Sequence, residues 1–180
     1  MKILNLSKRR VKMLHVDITS LKVDAIVNAA NQSLLGGGGV DGAIHKAAGP
    51  ALLSACRQLP EIKGVRCEVG SARVTPAFNL DAQWIIHAVG PRYGIDTPSE
   101  KFLISAYENA MNCAEQHGAL TMAFPAISCG IYGYPMADAA KTALRTVANH
   151  DAAVSHVTFA LFSLDALQIW MSAAQELWSA

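Results

Sequence analysis

The sequence predicts an α/β sandwich, and three observations carry that expectation. Short strand-like runs alternate along the chain with longer helix-like segments. One run, Ala25-Ile26-Val27, is apolar without interruption, as in a strand buried on both faces. Two glycine-bearing stretches each leave a strand-like run and enter a helical one, the place where α/β sheets receive ligands.

Taken in order, Val11–Val16 reads as an early strand ended by Asp17-Ile18-Thr19, and Ala25–Val27 as the buried strand. Gly42–Leu59 reads as one alanine-rich helix running into Pro60. Ser71–Thr75 and Trp84–Ala88 read as strands flanking a turn at Asn79-Leu80-Asp81. Ser99–His117 is the next helix, with Pro98-Ser99 as its start signal and Gly118 as its stop. Met122–Phe124 is a strand, Pro135–His150 a helix whose proline suits a first turn, and Val157–Phe162 the last strand. Asp165–Trp178 closes the chain as an amphipathic helix, with Leu167, Trp170, Met171, Ala174 and Leu177 on its core side.

With 180 residues and no linker or repeat, the sequence is expected to form one domain over residues 1–180, large enough to bury a core without disulfides or metals. The formal charge of +1 supplies no field toward nucleic acid or an anionic membrane, so nucleic acid and membrane are not expected partners. A charged ligand must therefore be met locally. The four cysteines have no CxxC or zinc-finger spacing, and the six histidines no ligand spacing. Reduced thiols in a cytoplasmic, soluble protein without a metal or other cofactor are expected. The first ten residues lack the apolar region of a secretory signal, and no run approaches the ~18 residues of a membrane span.

The densest signal is the stretch from Asn28 to Gly42, with Gly36-Gly37-Gly38-Gly39 at its centre. Four successive glycines carry a large entropic cost, so a structural need is implied. Between a strand and a helix start, their bare amides and the helix dipole favour an anion, and a phosphate can approach closely. The stretch from Pro125 to Pro135 repeats the pattern, and two such loops at one sheet edge would grip two adjacent phosphates. Tyr132 and Tyr134 offer ring faces for a sugar or base, unless one of them packs into the core. Gly37 to Gly42 also satisfies GxGxxG, but about eight residues separate it from the strand and no acid-tipped second strand follows as the dinucleotide fingerprint requires. No GK[ST] follows the glycines, which excludes a Walker A loop.

Together these strings resemble the macro domain family, and within it the MacroD-type hydrolases that act as O-acetyl-ADP-ribose deacetylases. The matching segments are Asp17-Ile18-Thr19, Val27–Asn31, Gly36–His45, Ala47–Pro50, Ile86–Pro91 and Phe124–Pro135, in the expected order. The resemblance implies a three-layer α/β/α sandwich around a mixed sheet, with ADP-ribose over the strand ends. It implies Asp17 at the adenine amino group and Ile18 beside the ring, with Phe162-Ser163-Leu164-Asp165 near the same pocket. Gly38, Gly39 and Val40, with Ser128, Cys129, Gly130, Ile131 and Tyr132, correspond to the diphosphate loops. Asn31 and Asp41 correspond to residues around the distal ribose, with Tyr132 packed over it. The implied partners are ADP-ribose and its esters, including ADP-ribosylated proteins. The implied reactions are deacetylation of O-acetyl-ADP-ribose and release of mono-ADP-ribose from acidic side chains, without a metal; the alternative is a reader that binds ADP-ribose without turnover.

The residue chemistry is consistent with ester hydrolysis, which needs a held sugar and an activated water. Asp41 can orient or deprotonate that water, and Asn31 can hold ribose hydroxyls through both donor and acceptor. The competing role for Asp41 is a helix N-cap, worth about 1 kcal/mol. Asn28 reads equally as a loop-stabilising asparagine. His87 reads as a hydrogen-bonded core histidine, and His45 lies one turn after Asp41, where it either orients the acid or packs. Cys129 stands where the family commonly has threonine; a nucleophilic role would require a histidine–acid partner that the sequence does not show.

Overall fold

The structure, a computed structural model, describes residues 1–178. In chain order its elements are β1 (Lys2–Asn5), β2 (Arg10–His15), a 3-10 turn (Ile18–Ser20), β3 (Ala25–Ala29), α1 (Gly39–Ala48), α2 (Pro50–Gln58), β4 (Ala72–Pro76), β5 (Trp84–Ala88), α3 (Ser99–Gln116), β6 (Thr121–Phe124), α4 (Met136–Asn149), β7 (His156–Leu161) and α5 (Leu164–Trp178). The strands form one seven-stranded sheet in the order β1-β2-β7-β6-β3-β5-β4. Its five inner strands are mutually parallel, and β1 and β4 close the two edges antiparallel to β2 and β5. The fold is the expected α/β/α sandwich around a mixed sheet.

Alternation along the strands divides the interior in two. Val27, Ile86, Phe124 and Phe159 face α3, α4 and α5, while Ile26, Ile85, Ala123 and Ala160 face α1 and α2. On α5, Leu167, Trp170 and Ala174 are buried, with Met171 and Leu177 partly buried against the same core, as the helical spacing predicts. The early strand, the buried strand and the last strand all appear within one or two residues of their expected bounds.

Two elements differ from the sequence expectation. The strand β1 was not expected; it is only four residues long and sits at the edge, where neither face is fully buried. The single helix expected over Gly42–Leu59 is two helices, because Gly49 adopts φ +88° and Pro50 opens α2. A left-handed residue ends one helix and a proline at the first position starts the next. Helix α1 also begins three residues earlier than expected, inside the glycine run.

Candidate functional site

The strands β3 and β6 are neighbours in the sheet, yet the chain leaves them in opposite directions. From β3 it passes through α1 and α2 toward β4 and β5; from β6 it passes through α4 to β7. Such a divergence opens a crevice at the carboxyl ends of the strands. The two glycine-bearing loops form its walls, around a cavity of about 290 Å³.

The first wall runs from Asn31 to Asp41. Asn31 Oδ1 accepts from the Ser33 amide (3.1 Å) and hydroxyl (2.7 Å), and its Nδ2 donates to the Gly36 carbonyl (3.0 Å). This fixes the amide while leaving its second N–H free of those partners. Gly38 occupies the N-cap position of α1, and Gly39 starts the helix at φ +58°. A Cβ at Gly38 or Gly39 would meet no atom within 4 Å, so both backbones lie open to the cavity. A Cβ at Gly37 would lie 3.0 Å from Asp41 Oδ2 and 3.4 Å from Asn31 Nδ2, so these two side chains converge on the bare backbone between them.

Asp41 is not the N-cap. It falls in the first turn of α1, 5% exposed, with its carboxylate turned inward. Asn28 Nδ2 donates to its Oδ1 at 2.7 Å, and His45 Nε2 lies 3.4 Å from the same oxygen without hydrogen-bond alignment. Burial pushes the Asp41 pKa above the ordinary carboxylate value, opposed by the Asn28 donor and by His45. The result is a desolvated carboxylate with one oxygen held and the other toward Gly37 and Asn31.

The second wall follows β6. Ser128 adopts φ +66° and is buried, and the Tyr134 amide donates to its carbonyl. Gly90, after β5, passes so close that a Cβ there would fall 2.2 Å from Ser128 Oγ, which requires glycine. Tyr132 is half-buried beside the cavity, whereas Tyr134 is packed into the core. Of the two tyrosines, only Tyr132 offers a ring to a ligand here.

Behind Asp41 the polar contacts continue into the sheet. Asn28 and His87 stand directly opposite each other on β3 and β5, with Asn28 Nδ2 3.2 Å from His87 Nδ1. His87 Nε2 lies 2.9 Å from Thr75 Oγ1 on β4. His87 is fully buried, and desolvation, with His45 nearby, lowers its pKa to about 3, so its ring is neutral.

Asn31, Gly38, Gly39, Val40, Asp41, Ser128, Gly130, Ile131 and Tyr132 therefore line one cavity. Three expected contributors do not. Asp17 lies at the end of β2, outside the lining, where its Oδ1 accepts from the Thr19 amide and hydroxyl. Ile18 is 4% exposed, buried among the residues packed with α1 and α2, because the 3-10 turn directs it inward. Cys129 packs toward the α3–α5 core and contacts the Ile127 carbonyl; burial pushes its thiol up to about 12, which leaves only its backbone for the cleft. Sequence reasoning missed Gly37 and Gly90 as lining residues, although each stood in a glycine-marked segment. Phe162, at the end of β7, is 91% exposed near Asp17 in the fold. A larger open depression of about 600 Å³ lies elsewhere, between the starts of α3 and α4, but it has Gly94 alone in place of two facing glycine loops, and its Lys141 is paired with Glu176. Among the described residues no group of three His, Cys, Asp or Glu side chains is placed to hold a metal, and no helix is long and apolar enough to cross a membrane.

The family model described as "Macro domain" matches residues 27–143, which include both loops, all of β6 and the carboxyl end of β3. The chain belongs to the macro domain family. Within that family it is 47% identical over 163 residues to a macro domain-containing protein of Vibrio parahaemolyticus, covering 91% of this chain and 96% of that protein. It is 52% identical over 141 residues to the O-acetyl-ADP-ribose deacetylase of Salmonella typhimurium, 78% of each chain. The solved structure of the Oceanobacillus iheyensis macrodomain with ADP superposes with a TM-score of 0.92 at 39% identity, over 98% of this chain and 95% of that one.

Proposed function

We propose that this macro domain binds ADP-ribose and hydrolyses esters on its distal ribose. The observation that carries the reading is Asp41: a buried carboxylate with one oxygen fixed by Asn28 and the other beside Asn31, at the wall of an amide-lined cleft. The open backbones of Gly38 and Gly39 at the start of α1, facing the loop from Ala126 to Tyr132, suit a diphosphate. The distal ribose then lies between Asn31, Asp41 and Tyr132. The deacetylase name of the Salmonella relative and the ADP of the Oceanobacillus structure support an ADP-ribosyl ligand as the class of substrate.

In the proposed reaction a water attacks the acyl carbonyl, and the bond from that carbon to the ribose oxygen breaks. Asp41 takes a proton of the attacking water and returns it to the ribose oxygen, which leaves as a hydroxyl. Burial raises the proton affinity of Asp41, which makes it a better base near neutral pH than a solvated aspartate. Asn31 keeps the ribose in reach through its free N–H. Acetyl esters and esters of protein carboxylates present the same ribose, so ADP-ribosylated proteins are proposed substrates beside O-acetyl-ADP-ribose. We place the protein in the cytoplasm, in keeping with its four free thiols.

The test is calorimetric titration of ADP-ribose into the protein, followed by incubation with O-acetyl-ADP-ribose and detection of free ADP-ribose. Saturable binding with release is expected. Binding without release would make the domain a reader, and no binding would overturn the reading altogether.

A further inference from the structure

Asn28, His87 and Thr75 do not line the cavity, so none of them meets a bound ligand. They are nevertheless joined to the side chain that does. The single nitrogen of the Asn28 amide lies 2.7 Å from Asp41 Oδ1 and 3.2 Å from His87 Nδ1. A primary amide has two N–H bonds, one for each neighbour. An ionised carboxylate only accepts, and Nδ1 accepts only when it carries no proton. The one proton of the neutral ring is then on Nε2, which lies 2.9 Å from Thr75 Oγ1 and 3.8 Å from Cys56 Sγ, and the nearer hydroxyl oxygen accepts it. Reversing the Asn28 amide would place Oδ1 2.7 Å from a carboxylate oxygen and against an unprotonated ring nitrogen. The carboxylate contact forbids the reversal, and the unprotonated Nδ1 follows from it. The orientation also leaves Asn28 Oδ1 buried without a partner among the described residues, so the two donor contacts, not the oxygen, determine it.

We propose that His87 is a positioning residue for Asp41: with its Nε2–H engaged by Thr75, it keeps Nδ1 an acceptor, so that the Asn28 amide holds a donor toward the carboxylate. This rests on the hydrolytic reading of Asp41. The lock holds Oδ1 and so directs Oδ2 toward Gly37 and Asn31, where the reacting water is placed. A core histidine that merely satisfied its own hydrogen bonds would not transmit a change at Thr75 across two strands to the first turn of α1.

Thr75→Val removes the acceptor with little change of shape. It frees the ring to move its proton to Nδ1, which then opposes the Asn28 donor. We expect kcat for O-acetyl-ADP-ribose to fall about tenfold, one hydrogen bond's worth of barrier, with the ADP-ribose Kd within twofold of wild type. Thr75→Ser, which returns the hydroxyl, restores kcat. His87→Asn, which keeps an acceptor near Nδ1, retains more activity than His87→Leu. In parallel, ¹⁵N spectra of the imidazoles should show His87 protonated at Nε2 in the wild type and shifted toward Nδ1 in Thr75→Val. Wild-type kcat in Thr75→Val, or a Kd that weakens in step with kcat, overturns the proposal. So does a wild-type His87 protonated at Nδ1, whatever the turnover. If the wild type releases no ADP-ribose, the hydrolytic reading fails by itself, and the ¹⁵N spectra still decide whether the lock exists.

Discussion

The sheet presents two unlike faces. Toward α3, α4 and α5 it offers Val27, Ile86, Phe124 and Phe159, with Tyr107, Phe124, Phe159 and Trp170 in mutual ring contact at centroid distances of 4.5–6.3 Å. Toward α1 and α2 the same sheet offers Ile26, Ile85, Ala123 and Ala160, with alanines in place of the two phenylalanines, and buries Asn28, His87 and Thr75. Apolar burial on the first face stabilises the fold; polar burial on the second costs desolvation and is tolerable only because each group is bonded to the next. The cleft and Asp41 stand at the end of the polar face. Stability and site geometry are thus assigned to opposite sides of one set of strands.

This comparison is broken most directly by cutting one face at a time. Phe159→Ala on the apolar face should cost about 3–5 kcal/mol and lower Tm on the order of 10 °C, while turnover per folded molecule stays at wild type. Asp41→Ala should do the reverse: turnover down about a thousandfold, with Tm within a few degrees of wild type. Calorimetric melts and single-substrate kinetics on both variants check the pair. If Asp41→Ala turned over like wild type, the assignment of the polar face to the site would be wrong.

The polar face should also respond to acid. His87 is neutral in the fold, with a pKa lowered from 6.5 to about 3, so the unfolded chain binds a proton that the folded one refuses across that window. Stability contributed by this site is therefore lost as pH falls from about 6.5 toward 3, by on the order of 4 kcal/mol. Asp41 works in the opposite sense: its raised pKa means that protonation on acidification relieves a buried charge and adds stability. The two groups oppose each other, so the histidine contribution is isolated by replacing it. Denaturant unfolding at pH 6.5 and pH 4 should show a smaller acid loss in His87→Asn than in wild type; an equal loss in both would remove His87 from the account.

Much of this division was legible beforehand, and the illegible part has a physical pattern. Strand alternation and glycine punctuation are local, so β2, β3, β5, β6 and β7 and both loops could be read from the sequence. Asn31 and Asp41 stood out because they bracket the glycines of one loop. The Asn28–His87 contact was not readable, since it joins residues 59 apart through strand register. The inward turn of Cys129 was equally hidden, because it lies next to a left-handed Ser128 and a close approach of Gly90 that only the folded chain brings together. At Gly49-Pro50 the signal was present, but the alanine-rich composition on both sides masked it.

A smaller effect sharpens the contrast within the glycine run itself. Gly42 is a packing glycine: a Cβ there would lie 2.7 Å from the Gly37 carbonyl oxygen, so Gly42→Ala must shift backbone. Gly39, proposed to face the ligand, is unlike it: a Cβ there meets nothing and only its φ of +58° resists replacement. Gly39→Glu should therefore fold, losing about 1 kcal/mol for the left-handed conformation, yet set a bulky anion where the diphosphate is proposed to bind. ADP-ribose affinity should drop at least about a hundredfold, with Gly39→Ala losing far less because it adds little volume and no charge. Titration calorimetry distinguishes the two. Equal, near wild-type affinity in Gly39→Glu would mean that the first loop does not hold the diphosphate, and that the open backbone at the start of α1 has some other occupant.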